Sequence, residues 1–304
     1  MKAVVVYAAL AACLACGPPV NPDAFKKFAA ATTELRDGAD RTLALQSKWA
    51  QQRFANALQY SKTDTLTNRY VQMLLLDGVD DDPFGWQSPS TPFYVVTRQF
   101  RAAVKALNDA LVDYASLLDD LSRTGIVTRD ELDRRVTDIN NGARTAATLM
   151  KPEPPPASVA IVSIMAARFL EELVDDKRHE LLIKAVRANG PGLREICSLL
   201  DNAMTLTAQG VRAEYDQRSF ALADQLTHTR TGSGHRRDLI NDLMKLNDLY
   251  TQHLEALRAL HNVYARVPAA HDELSRTGNQ SSIEELQRFY EDARRVSTGQ
   301  SGEE

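Results

Sequence analysis

The chain has 304 residues, with 36 basic against 40 acidic side chains and a formal net charge of -4. Charges of both signs are interspersed, which excludes the electrostatic footprint of a nucleic-acid or anionic-membrane surface, and the length suffices for a sizeable core. With three cysteines, two of them in the first 16 residues, no disulfide framework is required for stability, a bond between Cys16 and Cys197 being open only if Cys16 stays free.

At the N-terminus, Lys2 precedes an apolar run that contains Cys13 and Cys16 and is followed by Gly17-Pro18-Pro19. This is the layout of an export address. It resembles the signal of bacterial lipoproteins, in which a cysteine preceded by small residues is diacylated and the segment before it is removed. Two tetrapeptides carry the resemblance, Leu10-Ala11-Ala12-Cys13 and Cys13-Leu14-Ala15-Cys16. The first has the better composition but a leader of only 12 residues; the second has a more usual length, although Cys13 stands where the family has leucine. The resemblance implies a signal peptide over residues 1–15 and lipid attachment at Cys16, with Cys13 as the alternative. It also implies a place in the bacterial cell envelope, membrane-anchored and facing the periplasm or exterior. An ordinary cleaved signal ending at Ala9-Leu10-Ala11 is the competing reading. The run from Ala3 to Cys16 is shorter than the about 20 residues that cross a bilayer as a helix.

Residues 16–22 end in Gly-Pro-Pro-Val-Asn-Pro and should form an extended tether of at most about 20 Å, keeping the folded body near the membrane. From Asp23 to about Ser61 the apolar spacing predicts a helix, with Phe25, Phe28, Leu35, Leu45, Trp49, Phe54 and Leu58 on one face and Gly38 weakening its middle. A shorter helix is expected over Thr65 to Leu76, followed by a loop through Asp77-Gly78 and the prolines at 83, 89 and 92.

The clearest helix is predicted from Thr91 as N-cap and Pro92 as first helical residue. Phe93, Val96, Phe100, Ala103, Leu107, Ala110, Tyr114, Leu117 and Leu121 alternate threes and fours until Gly125, about 50 Å of helix. Thr128-Arg129-Asp130-Glu131 reads as a capping box for the next, whose seam is Leu132, Val136, Ile139, Ala143, Ala146 and Met150. Pro152 and Pro154 to Pro156 end it. That cluster divides the chain into an N-terminal helical half over 23–151, a stiff connector over 152–157 and a C-terminal half over 158–296, with a disordered tail over 297–304.

In the second half a helix is expected from Ser158 to Asn189, broken by Gly190-Pro191, and another from there to Thr229. Cys197 falls on an apolar stripe with Leu193, Ile196, Leu200, Ala203 and Met204 and reads as a small core residue. After the loop Thr231-Gly-Ser-Gly234, a helix should run from Arg236 to Val267, with Leu239, Leu243, Leu246, Leu249, Leu257 and Leu260 as its seam and Pro268 as its break. A last helix begins near Ser281 or Ser282. No segment shows the period of a strand. The expected fold is therefore all-α, an elongated bundle of long antiparallel amphipathic helices.

Candidates for chemistry are thin. Asp175, Asp176 and His179 lie at helical spacing after Glu172 and are weak metal candidates, because the helical di-metal pattern needs Glu-x-x-His and the sequence has none. Local pairing with Lys177 and Arg178 accounts for them as well. His253 and His261 share a helix face but are about 12 Å apart along it, too far to share a metal, and read as polar or boundary positions. Asp77-Gly-Val-Asp-Asp-Asp82 lacks the closing glutamate of a calcium loop. The segment from Gly232 to Arg237 could hold an anion at a helix start, yet it has no preceding strand and no lysine-serine ending, so it reads as a connector. No serine or cysteine nucleophile falls in a recognisable triad, and no catalysis or cofactor is inferred. Ala157 to Ala167 is the longest uncharged apolar stretch after the signal and reads as core, or as a membrane-active element of an exported protein. The expected function is that of a lipid-anchored envelope protein acting as a helical interaction or structural module. Its partners would be the membrane, through the anchor, and another envelope protein, with no nucleic acid.

Overall fold

The computed structural model describes residues 21–60, 93–123, 129–150, 178–276 and 280–298. They form six α-helices and, among the described residues, no strand: α1 (Pro22–Tyr60), α2 (Phe93–Ser122), α3 (Arg129–Met150), α4 (Arg178–His228), α5 (Gly234–Leu274) and α6 (Gln280–Thr298). The fold is all-α and its helices pack as a bundle.

Local chemistry sets several of the ends. Asn21 Oδ1 accepts the Asp23 N–H at 3.0 Å, so Asn21 caps α1 and Pro22 takes the first helical position, where a missing N–H costs nothing. The capping-box prediction places the start of α3 correctly, at Arg129. Ser233, with extended backbone, accepts the Arg236 N–H at 3.2 Å and caps α5. Ser275 closes the other end of α5 with its N–H to the Asp272 carbonyl. Helix α2 ends at Ser122, short of the expected Gly125.

The side-chain pairings give the direction of each neighbour. Asp40 meets Arg101 and Arg36 meets Asp109, so α1 and α2 are antiparallel. Asp120 meets Arg135, which sets α3 antiparallel to α2. Arg194 meets Asp272 and Asp201 meets His261, so α4 and α5 form an antiparallel hairpin around the short turn at 229–233. Phe28 touches Phe289 while Glu34 meets Ser297, so α6 runs parallel to α1. A single core joins these elements, with Phe25, Phe28 and Leu35 from α1, Leu107, Leu111, Leu117 and Leu118 from α2, Ile139 from α3, Leu182 and Leu193 from α4, Tyr264 from α5 and Phe289 from α6. Helices from both sides of the proline-rich segment contribute to it. Cys197 is buried there with its predicted stripe, and burial pushes its thiol up to about 12.

Two expected breaks do not occur. Helix α4 runs unbroken through Pro191 and α5 through Pro268. A proline inside a helix forfeits one hydrogen bond and crowds the preceding turn, about 3 kcal/mol in isolation. Here Pro191 is on the exposed face, where water can serve the orphaned carbonyl, while Val186, Leu193 and Ile196 on either side of it are buried. Val267, Ala270, His271 and Leu274 hold α5 together across Pro268 in the same way. Gly38 does not interrupt α1, and its missing side chain is what lets α6 approach: a Cβ there would lie 2.8 Å from Val296 Cγ1 and 3.2 Å from the Ser297 N. Accordingly α6 extends to Thr298 with Ser297 buried, past the expected start of the tail.

The seam of α5 also differs from the expected one. Tyr250 is partly buried and packs against the core, whereas Leu249 is 48% exposed. The seam follows a strict alternation of fours and threes, Leu239, Leu243, Leu246, Tyr250, His253, Leu257, Leu260, Tyr264, Val267, His271 and Leu274, the period of helices packed at a shallow angle. Leu249 fits a local spacing of threes but not this repeat.

Candidate functional site

The α4–α5 hairpin extends beyond the shared core. Helix α4 has 51 residues, about 75 Å at 1.5 Å per residue, and no residue after Val211 on it is fully buried. On α5 only Leu239 and Leu246 are buried ahead of His253. The stretch from about Arg212 to Gln252 is thus a two-helix arm. Its own seam is thin, closed by Tyr215 stacked on Tyr250 with ring centroids 4.2 Å apart and by the Tyr215 hydroxyl on Asn247 Oδ1 at 3.3 Å. At the tip Gly232 takes the left-handed conformation, φ 80°, and Arg236 donates to the carbonyls of Leu226 and Thr229, capping the end of α4. The guanidinium is thereby committed to the turn, which favours the connector reading of residues 232–237 over an anion site.

On one side of the arm the two helices line an open groove of about 660 Å³. Phe220, Ala223, Leu243 and Met244 supply its apolar lining, and Asp216, Ser219, Asn247 and Asp248 its polar one. Phe220 is 76% exposed, Met244 62%, and Ile240 beside them 43%. Among the described residues these large side chains stay uncovered, as a two-helix layer leaves its second face. Sequence reasoning missed these residues. The available sign was Phe220 falling off the row Val211, Tyr215, Leu222, Leu226 that faces α5.

A second group of polar residues lies inside the core. Tyr114 on α2 and His271 on α5 share a hydrogen bond of 2.8 Å between the hydroxyl and Nε2, and the hydroxyl also meets Asn189 of α4. Two turns away the Tyr264 hydroxyl donates to Asn108 Oδ1 at 2.9 Å. His271 has no exposed surface, and Phe28 packs on its ring. Its Nδ1 is buried without a hydrogen-bond partner, the Asp272 carboxylate standing 3.9 Å away, beyond bonding distance. Burial pushes the imidazole down to about 4, so it is neutral at pH 7. Burial likewise raises the Tyr114 phenol above its ordinary range. The bonds of this cluster join α2, α4 and α5 across the core.

Two smaller recesses are lined by charges engaged with one another. One, about 160 Å³ between α1 and α2, holds the pairs Arg101 with Asp40 and Lys105 with Asp109. The other, about 290 Å³ between α2 and α3, is walled by Asp113, Ser116, Arg134, Arg135 and Asp138. Arg135 there is bonded to Asp120 and Glu131, and Arg134 to Asp138. Burial, then the neighbouring Asp109, raises the Asp113 carboxyl above its ordinary value.

The residues singled out from sequence fall as follows. Cys13, Cys16, Asp77 to Asp82, Ala157 to Ala167, Asp175 and Asp176 lie outside the described residues, and His179 is described only as part of the α4 backbone. His253 is buried, not a boundary residue, and burial pushes it down to about 4. His261 is exposed and contacts Asp201 across the hairpin. Among the described residues no group of three or more histidines, cysteines or carboxylates could hold a metal ion, and no helix is long and apolar enough to cross a membrane. No protein-family model, characterised protein or solved structure matches this chain.

Proposed function

We propose that this chain is a lipid-anchored envelope protein whose helical bundle presents the α4–α5 arm as an interaction surface, and that it performs no catalysis of its own. The observation that carries the reading is the arm's open face, where Phe220, Met244 and Ile240 stand in solvent along a groove beyond the core. Burying such side chains would contribute about 1.5 to 3 kcal/mol each, a gain that only a partner can realise. The anchor rests on the cysteine-bearing N-terminal signal and the proline-rich tether behind it. Cys16 is the proposed attachment site, with Cys13 as the alternative, and the partner is a protein of the same compartment.

The test combines fatty-acid labelling in a bacterial host with crosslinking of intact envelopes. Label should enter the chain, be lost on Cys16→Ser, and leave that variant outside the membrane fraction. A crosslinked product should form with the wild type and vanish on Phe220→Asp with Met244→Asp. An unlabelled chain would remove the anchor from the account, and crosslinking indifferent to the arm variants would remove the interaction surface.

A further inference from the structure

The faces of the two arm helices carry charge in the same order. On α4, from the body outward, Asp216, Phe220 and Ala223 line the groove; on α5 Asp248 and Met244 line it, and Ile240 and Arg237 continue the same helix face beyond it toward the tip. The α5 residues follow spacings of three and four and so share one helix face. Both rows are acidic toward the body and apolar in the middle, and the α5 row becomes basic at the tip. Asp216, Asp248 and Arg237 are exposed, and none of them has an ion-pair partner among the described residues. An antiparallel two-fold axis through the Phe220–Met244 level would bring the tip of one arm against the body end of another. Arg237 lies about 10 Å tipward of Met244, and Asp216 and Asp248 about 6 Å bodyward of that level. The reach of an arginine side chain spans the difference.

We propose that the occupant of the groove is a second copy of this chain: two arms pack face to face and antiparallel, completing a four-helix bundle. In it Phe220 and Met244 of each copy are buried in the other's groove, and, because this axis sets α5 against α5, Arg237 of each meets Asp248 of the other. This deepens the interaction reading above and rests on it. The arrangement is isologous, so every favourable contact occurs twice and the assembly stops at two. It also turns a two-helix layer, open on one side, into the two-layer packing that helices require. Such an overlap would span about 25 Å by 20 Å, on the order of 500 Å² per copy, the size of weak or transient interfaces. Anchoring both copies in one membrane would raise their effective concentration and make a weak affinity sufficient.

The experiment is sedimentation equilibrium of the full chain in a density-matched detergent at about 10 µM and above, with charge-reversal variants. The expected result is a reversible dimer that Phe220→Asp weakens about a hundredfold. Arg237→Glu and Asp248→Lys should each weaken it about tenfold, and combining them should recover most of the loss. Because all three positions are exposed, unchanged helical circular dichroism and an unchanged unfolding midpoint would show that the bundle itself is intact. A wild type that stays monomeric, or a combined variant no better than the single ones, overturns the proposal. If the monomeric chain still crosslinks through its arm in envelopes to a protein of another mass, the second copy is the wrong occupant while the interaction reading stands. A monomer with no crosslinked product overturns both.

Discussion

Tyr114 and His271 illustrate how one buried polar pair can set the pH response of an otherwise apolar core. Their bond joins α2 to α5, and replacing the tyrosine by phenylalanine keeps the ring while stranding Nε2 of a fully buried imidazole. Tyr114→Phe should therefore lower the unfolding free energy by about 1 to 3 kcal/mol in urea titrations. A variant as stable as the wild type would show that the hydroxyl does not serve His271. The histidines make a second prediction. His253 and His271 are held neutral in the folded chain, down to about pH 4, while the unfolded chain protonates them near 6.5. The unfolded state binds more protons in that window, so stability is full above about pH 6.5 and falls as the pH drops toward 4, by roughly 3 kcal/mol for each histidine at the lower limit. Facing His271 are the Asp272 carboxylate, which opposes the shift, and Arg194, which reinforces it. Urea midpoints that stay level between pH 7 and pH 5 would contradict the buried neutral state. The pairing is not visible locally in the sequence, since the partners are 157 residues apart, although Tyr114 falls on the apolar face expected of its helix. The four-three repeat from Leu239 to Leu274 does contain both histidine positions, and following it through would have put them inside.

Among the elements, α6 depends on an absence of side chain. Gly38 admits Val296 and Ser297 to within contact of the α1 backbone, and Arg266 with Asp292 and Glu34 with Ser297 fasten the same helix at its edges. Gly38→Leu should cost about 2 kcal/mol even though leucine favours helix over glycine by nearly 1 kcal/mol, because overpacking outweighs propensity. Hydrogen exchange should place the lost protection in α6. An unchanged α6 would mean that the close approach is not present in solution. Helix propensity alone makes the same glycine a weak point of α1, and packing against α6 gives it a second role that propensity does not show. Pro191 and Pro268 teach the same lesson, since a cost of about 3 kcal/mol breaks an isolated helix but not one whose flanking turns bury several large side chains. By contrast, the start of α3 at Arg129 and the turn ahead of α5 were legible, because helix starts and tight turns are decided by residues adjacent in the chain.

At the scale of the molecule, the chain joins a bundle with one shared core to an arm that leaves apolar side chains in water. The all-α class and the long helices could be read from the apolar periods alone. The arm could not, because α4 and α5 keep a facing seam along their length and, among the described residues, the neighbouring helices stop at its base. The groove around Phe220 and Met244 likewise required the fold before it could be found. The most direct measurement is a scan with a photo-crosslinking amino acid in living cells, placed at Ser219, Ala223 and Asn247 on the arm and at Thr137, Arg187 and Glu284 on the exposed surface of the bundle. Protein adducts at the three arm positions and none at the bundle positions are the predicted result. Adducts confined to the bundle, or none at any position, would contradict the assignment of the arm as the surface through which this protein acts.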